Sequence, residues 1–247
     1  MRSFLAQFRR ELFGLLVSPF VYVLLAAWYL LNGLFFAFLL RTPAIQNDLT
    51  LLPSYLFGSG LLVWLLLPAF PPLLALRLLA EERRVGTLEP LLTAPVRDGA
   101  VVLAKYFAAC GFFLLFWGGV LLLFVALHLA GAELDGGRVA SAFLGAVLTS
   151  FTFLATGLWA SSWSGNLVLA AGGGAALNYF LLFVPTLLER APGALGAAAR
   201  SAQIPRFLDT GFAAGIVDSY AVAFLVGVAA FFLFLTWLAL GSRRLVP

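Results

Sequence analysis

The chain has one cysteine, Cys110, one histidine, His128, and one lysine, Lys105. A single thiol excludes an intramolecular disulfide or a thiolate cluster, and a single imidazole excludes a multi-histidine metal site. Lys105 follows Ala104, with no glycine-rich run before it. A phosphate-cradling P-loop needs Gly-Lys-Ser/Thr, so the chain has no Walker motif of its own with which to bind ATP. Charge is scarce as well: 11% of the 247 residues are Asp, Glu, Lys or Arg, against about 25% in a soluble domain. No deeply placed Asp, Glu or Lys is expected inside the apolar runs, which weighs against proton- or sodium-coupled mechanisms. No nucleophile, base or metal cluster stands out among their polar residues. An integral-membrane enzyme is therefore disfavoured, and there is no catalytic, cofactor-binding or metal site to name.

What is abundant is apolar surface. Hydrophobic residues make up 63% of the chain, with 25 Phe and six Trp, and the mean hydropathy is +1.04. One core of this size cannot hide that surface, so lipid is its solvent. Six runs meet the roughly 20-residue requirement for crossing a bilayer: about 20–40, 54–79, 100–130, 139–161, 166–188 and 219–240. The opening MRSFLAQFRRELFGLL is interrupted by Arg9, Arg10 and Glu11, unlike a signal peptide. Its Phe4, Phe8, Leu12, Leu15 and Leu16 recur at helical spacing, as in an amphipathic helix lying in the membrane interface. The reading is one all-α, polytopic membrane domain over 1–247.

Six spans place both termini on one side. Ten of the fifteen Lys and Arg residues then share that side: Arg2, Arg9, Arg10, Arg77, Arg83, Arg84, Arg97, Lys105, Arg243 and Arg244. The positive-inside rule makes it the cytoplasm. The basic balance reads as topology and not as a nucleic-acid signal. The connection from about Ala80 to Gly99 concentrates charge, while that near 161–165 carries none. The last outer connection, about Arg190 to Asp218, is long and contains Pro192 and Pro205. Ile204, Phe207, Leu208, Phe212 and Ile216 lie between its polar residues, which predicts short helices dipping into the outer leaflet.

Span two ends in LRLLAEERRVGTLEPLLTAPVRDGAVVLAKYF. Glu81, Glu82, Arg83 and Arg84 terminate the apolar run, Thr87 can cap a short helix through Leu88, Glu89, Leu91 and Leu92, and Pro95 and Gly99 end it. Two readings are open: a solvated loop, or a short helix shaped for a groove in a soluble partner.

The segment resembles the permease subunits of type-2 ABC transporters, in which R-x-x-x-E-E-R-x-x-G-T-L-E-x-L-L-T-x-P-V joins spans two and three. Arg77, Glu81, Glu82, Arg83, Gly86, Thr87, Leu88, Glu89, Leu91, Leu92, Thr93, Pro95 and Val96 occupy those places. The end of the chain is similar to the gliding-motility (GldF-like) branch. Phe212, Gly215 and Asp218 match its Phe-x-Arg-Gly-x-Ile-Asp-x-Arg-Asp pattern, whereas Ala214, Tyr220 and Ala221 replace Arg, Arg and Asp. The resemblance implies six spans, an amphipathic N-terminal interfacial helix, a cytoplasmic coupling helix after span two and short external helices before span six. It also implies a bacterial inner-membrane location, a second permease in a homo- or heterodimer, and a pair of separate ABC ATPase subunits carrying ATP and Mg. A periplasmic accessory subunit is a further partner it allows. Glu81, Glu82, Arg83, Gly86, Thr87, Leu88, Glu89, Leu91, Leu92 and Pro95 become the ATPase-coupling residues on this reading. The function it implies is export of an unidentified cargo, with a non-transporting anchor for a surface machine, as in gliding-motility assembly, as the alternative.

Within the spans, Pro68, Pro71 and Pro72 each remove a backbone donor, giving a fixed kink or a hinge. Gly172, Gly173 and Gly174 allow close helix approach or line a path, and Asn178 needs a buried partner. His128 and the pairs Trp28 and Tyr29, Trp159 and Trp163, Tyr179 and Tyr220 are expected in part as interfacial anchors, and Cys110 as a small packing residue.

Overall fold

The computed structural model describes residues 2–58, 60–86, 98–163 and 166–241. The described residues are helical and contain no strand. Helix α1 (Arg2–Leu16) leads into α2 (Pro19–Leu39), followed by the short α3 (Pro43–Asn47). Three short helices follow, α4 (Leu61–Leu66), α5 (Phe70–Ala75) and α6 (Ala80–Val85). Next come the long α7 (Asp98–Leu129), α8 (Gly136–Trp163) and α9 (Leu167–Leu188). The chain closes through α10 (Ala194–Ser201), the single turn α11 (Ile204–Arg206) and α12 (Ser219–Gly241). Six helical stretches are long and apolar enough to cross a membrane.

Local chemistry sets the boundaries. Pro19 occupies the first turn of α2 behind an extended Ser18, where its missing N–H costs nothing and its fixed φ suits a helix. The Asp135 carboxylate accepts from the backbone N–H groups of Gly137 and Arg138 at 3.0 and 3.2 Å. Asn166 does the same for Val168 and Leu169 at the start of α9. Gly131 makes the α7–α8 turn at φ 93°, a left-handed conformation open to glycine at little cost.

Helix α8 is the axis of the bundle: 72% of its membrane window is buried, against 17% for α2. It packs on α12, α9, α5 and α7. A helix surrounded by other helices needs small residues, and α8 carries Ser141, Ala142, Gly145, Ala146, Ser150, Thr152, Ala155, Thr156, Gly157 and Ala160 as buried positions. Several of its hydroxyls bond back along the helix, with Ser150 donating to the Ala146 carbonyl at 2.7 Å and Ser161 to that of Leu158 at 2.8 Å.

The run 54–79 is interrupted at more places than the expected proline kink: a π turn at Ser54–Gly58 precedes α4, and turns at 67–69 and 76–79 separate α4, α5 and α6. Apolarity sets the length of an apolar run, but the proline-bearing backbone decides whether one helix can fill it. Trp28 is not an interfacial anchor. It is 1% exposed, its ring packs edge-on against Phe70, Phe113, Phe116 and Trp117, and its indole N–H donates to the Phe116 carbonyl at 3.0 Å. An indole can be buried once its single donor has an acceptor.

The short helices expected before span six are present. Beyond α10 and α11, a π turn (Phe207–Gly211) and a 3-10 turn (Phe212–Ala214) lead to Gly215, which turns at φ 88°. Phe212 fills the space beside Gly145 of α8, where an added Cβ would lie 2.5 Å from its ring, and Ser141 donates to the Phe212 carbonyl.

Candidate functional site

The break in span two is the first place where expected functional residues meet. Pro68, Pro71 and Pro72 have no N–H, so the carbonyls of Trp64, Leu67 and Pro68 lose the donors that a continuous helix would aim at them. Asn178 of α9 replaces one of these. It is fully buried, and its Nδ2 donates to the Pro68 carbonyl at 2.9 Å. Its Oδ1 accepts from the Thr156 hydroxyl of α8. The adjacent Tyr179 donates its hydroxyl to the Leu65 carbonyl at 2.5 Å. That carbonyl is open because the Ala69 N–H turns to Leu66 instead, at 3.0 Å. Two consecutive residues of α9 thus bond to the interrupted backbone, so Tyr179 belongs to this site and is more than an interfacial ring.

Packing holds the same point. A Cβ added to Gly157 would lie 2.8 Å from Pro72 Cα, and one on Gly174 would lie 2.9 Å from Pro72 Cβ. Pro72 is wedged where α8 and α9 each present a glycine. Of the three expected glycines only Gly174 works this way, since Gly172 and Gly173 are exposed with nothing within 4 Å of an added Cβ.

Below the break, the Arg77 guanidinium pairs with Glu81 at 2.8 Å, one helical turn apart across the 76–79 turn. Its second nitrogen lies 3.5 Å from the other carboxylate oxygen. Glu82 and Arg83 lie in α6, and Gly86 ends it at φ 78°, the left-handed residue that commonly closes a helix. Thr87, Leu88, Glu89, Leu91, Leu92 and Pro95 lie outside the described residues.

A second pair was hidden in the charge pattern. Lys105 is fully buried, two turns into α7, and its Nζ lies 3.0 Å from Glu11 of α1. The same Glu11 oxygen accepts from Gln7 at 2.7 Å and from Arg10 at 2.8 Å. The lysine is buried in the protein, yet it lies only two turns from the start of α7, near the end of the apolar run. It is tolerated because its charge is met by a carboxylate from another helix. The available signal was that the one lysine of the chain falls inside an apolar helical run. Through Glu11, Lys105 ties α7 to α1.

His128 is exposed at the end of α7, and Cys110 is buried in the core. Among the described residues no group of three His, Cys, Asp or Glu side chains is placed to hold a metal ion.

A family model described as ABC-2 family transporter protein matches residues 10–183, from within α1 through most of α9. No curated protein matches the chain.

Proposed function

We propose that this chain, which belongs to the ABC-2 family of transporter proteins, is the membrane half of an ATP-driven exporter. At the coarser level it is a multi-pass permease component of an ABC transporter, a membrane part that pairs with an ABC ATPase subunit. The observation that carries the reading is the family match over residues 10–183. The six apolar helices and the charged connection from about Ala80 to Gly99 support it.

In this reading two permeases, identical or different, pair in a bacterial inner membrane with all termini cytoplasmic. Two ATPase subunits supply ATP and Mg. The segment Glu81–Pro95 docks on them, with Leu88, Leu91 and Leu92 on one helical face and Glu81, Glu82, Arg83 and Glu89 setting orientation. Closure of the ATPases pulls on α6, and the pull reaches the bundle at the proline break around Pro68, Pro71 and Pro72. Asn178 and Tyr179 hold that break in a defined geometry, so it works as a hinge if those bonds exchange during turnover.

The GldF-like residues Phe212, Gly215 and Asp218 support membership of the gliding-motility branch as part of this reading. The deciding experiment is reconstitution with the partner ATPase and measurement of hydrolysis against a panel of envelope extracts. Cargo-stimulated hydrolysis with accumulation of that cargo across the membrane is the expected result. Hydrolysis indifferent to every extract, together with retention of a surface-assembly complex, would favour the anchoring role instead.

A further inference from the structure

A cavity of about 610 Å3 opens at the end of the bundle that holds the α7–α8 turn, between α10, the 204–217 segment and the start of α12. Arg200 and Arg206 both line it. Neither guanidinium forms an ion pair among the described residues. Arg200 donates to the Glu189 backbone carbonyl at 2.8 Å, and the Arg206 side chain makes no hydrogen bond. The nearby Glu189 carboxylate is taken by Gln203 at 2.8 Å. Asp218 is the one acidic residue in the lining, and it accepts from the Tyr220 N–H at the start of α12. The cavity thus holds two cations against one engaged carboxylate. Beside them, Ile216 and Val217 are 60% and 52% exposed.

We propose that this cavity binds the phosphate headgroup of an anionic phospholipid, whose hydrocarbon lies against Ile216 and Val217. A guanidinium presents a planar fork that matches phosphate oxygens, and among the described residues no carboxylate is within ion-pair distance of either one. The neighbouring apolar side chains distinguish a lipid from a soluble anion, because only an amphiphile gains by covering them. The site follows from the six-span architecture and stands whether the chain exports a cargo or anchors a machine.

The full chain, purified into phosphatidylcholine nanodiscs carrying increasing phosphatidylglycerol, provides the test. The readouts are bound phosphatidylglycerol by native mass spectrometry and the shift in melting midpoint. The wild type should enrich phosphatidylglycerol over its bulk fraction. Arg206→Gln should need about tenfold more for half-occupancy, the scale of one lost charge-assisted hydrogen bond. Arg206→Lys should lose less. Ile216→Asp, at an exposed position that tolerates a polar side chain, should repel the headgroup and keeps the test informative if Arg206→Gln misfolds. Arg190→Gln removes an exposed cation outside the cavity and should change nothing. Equal losses from Arg190→Gln and Arg206→Gln would mean only a diffuse surface potential, and would overturn the proposal. Equal stabilisation by inorganic phosphate in pure phosphatidylcholine discs would also overturn it, since the site would then take a free anion.

Discussion

Asn178 is the side chain whose loss should be felt most in the second span. Asn178→Ala leaves the Pro68 carbonyl without the amide donor it has now and removes one of two acceptors of the Thr156 hydroxyl, which keeps the Phe153 carbonyl at 2.8 Å. Uncompensated buried polar groups cost about 1–3 kcal/mol each, so the melting midpoint in detergent should fall clearly. The glycines give a second contrast. Gly157→Ala and Gly174→Ala each press a Cβ into Pro72 and should cost about 1–3 kcal/mol through overpacking. Gly172→Ala and Gly173→Ala meet open space and should stay within about 0.5 kcal/mol. Equal effects at all four positions would show that the proline wedge does not set the packing. The buried pair is testable by a double-mutant cycle. Lys105→Met or Glu11→Gln alone strands the partner and should cost roughly 3 kcal/mol, while the double variant recovers part of that loss.

At the scale of elements, α1 and α6 carry the mechanical claim. Helix α1 is tied to α7 through Glu11 and Lys105, so the double-mutant cycle above also reports how firmly an amphipathic helix is attached to a span. Helix α6 leads from the break toward the segment proposed to dock on the ATPase. Truncating interface anchors commonly costs about 1–3 kcal/mol, or roughly ten- to hundredfold in affinity. Leu88→Ala combined with Leu91→Ala should therefore weaken capture of the partner ATPase while leaving the melting midpoint unchanged. Wild-type capture by the double variant would make the segment a solvated loop. The turns at 204–214 rest on α8 through Ser141 and Gly145. Their amides should exchange slowly in nanodiscs, and uniformly fast exchange from Arg190 to Asp218 would contradict that packing.

For the whole molecule, the prediction concerns which way the bundle faces. With ten of fifteen basic residues on one side of six spans, the inside rule puts the ends of the chain in the cytoplasm. In a Cys110→Ala background, a membrane-impermeant thiol reagent should label cysteines placed at Gly136 or Ala198 in intact cells. It should miss those at Gly99 or Ser242. Labelling of the latter pair would invert the topology and move the arginine-lined cavity to the cytoplasmic leaflet.

Solvent preference was legible in the one-dimensional chain. Apolar runs and scarce charge were enough for a helical, multi-pass membrane protein, because hydropathy is a local property. The wording from Arg77 to Val96 pointed to the family before any helix was placed. The prolines of span two announced a break, and Asn178 announced the need for a partner. That the two requirements answer each other, through a bond across 110 residues, depended on how α5, α8 and α9 pack. The same holds for Trp28, Lys105 and the Arg200–Arg206 cavity. A side chain's periodicity shows which face of a helix it occupies, but only the neighbouring helices decide whether that face meets lipid, a carboxylate or a ring.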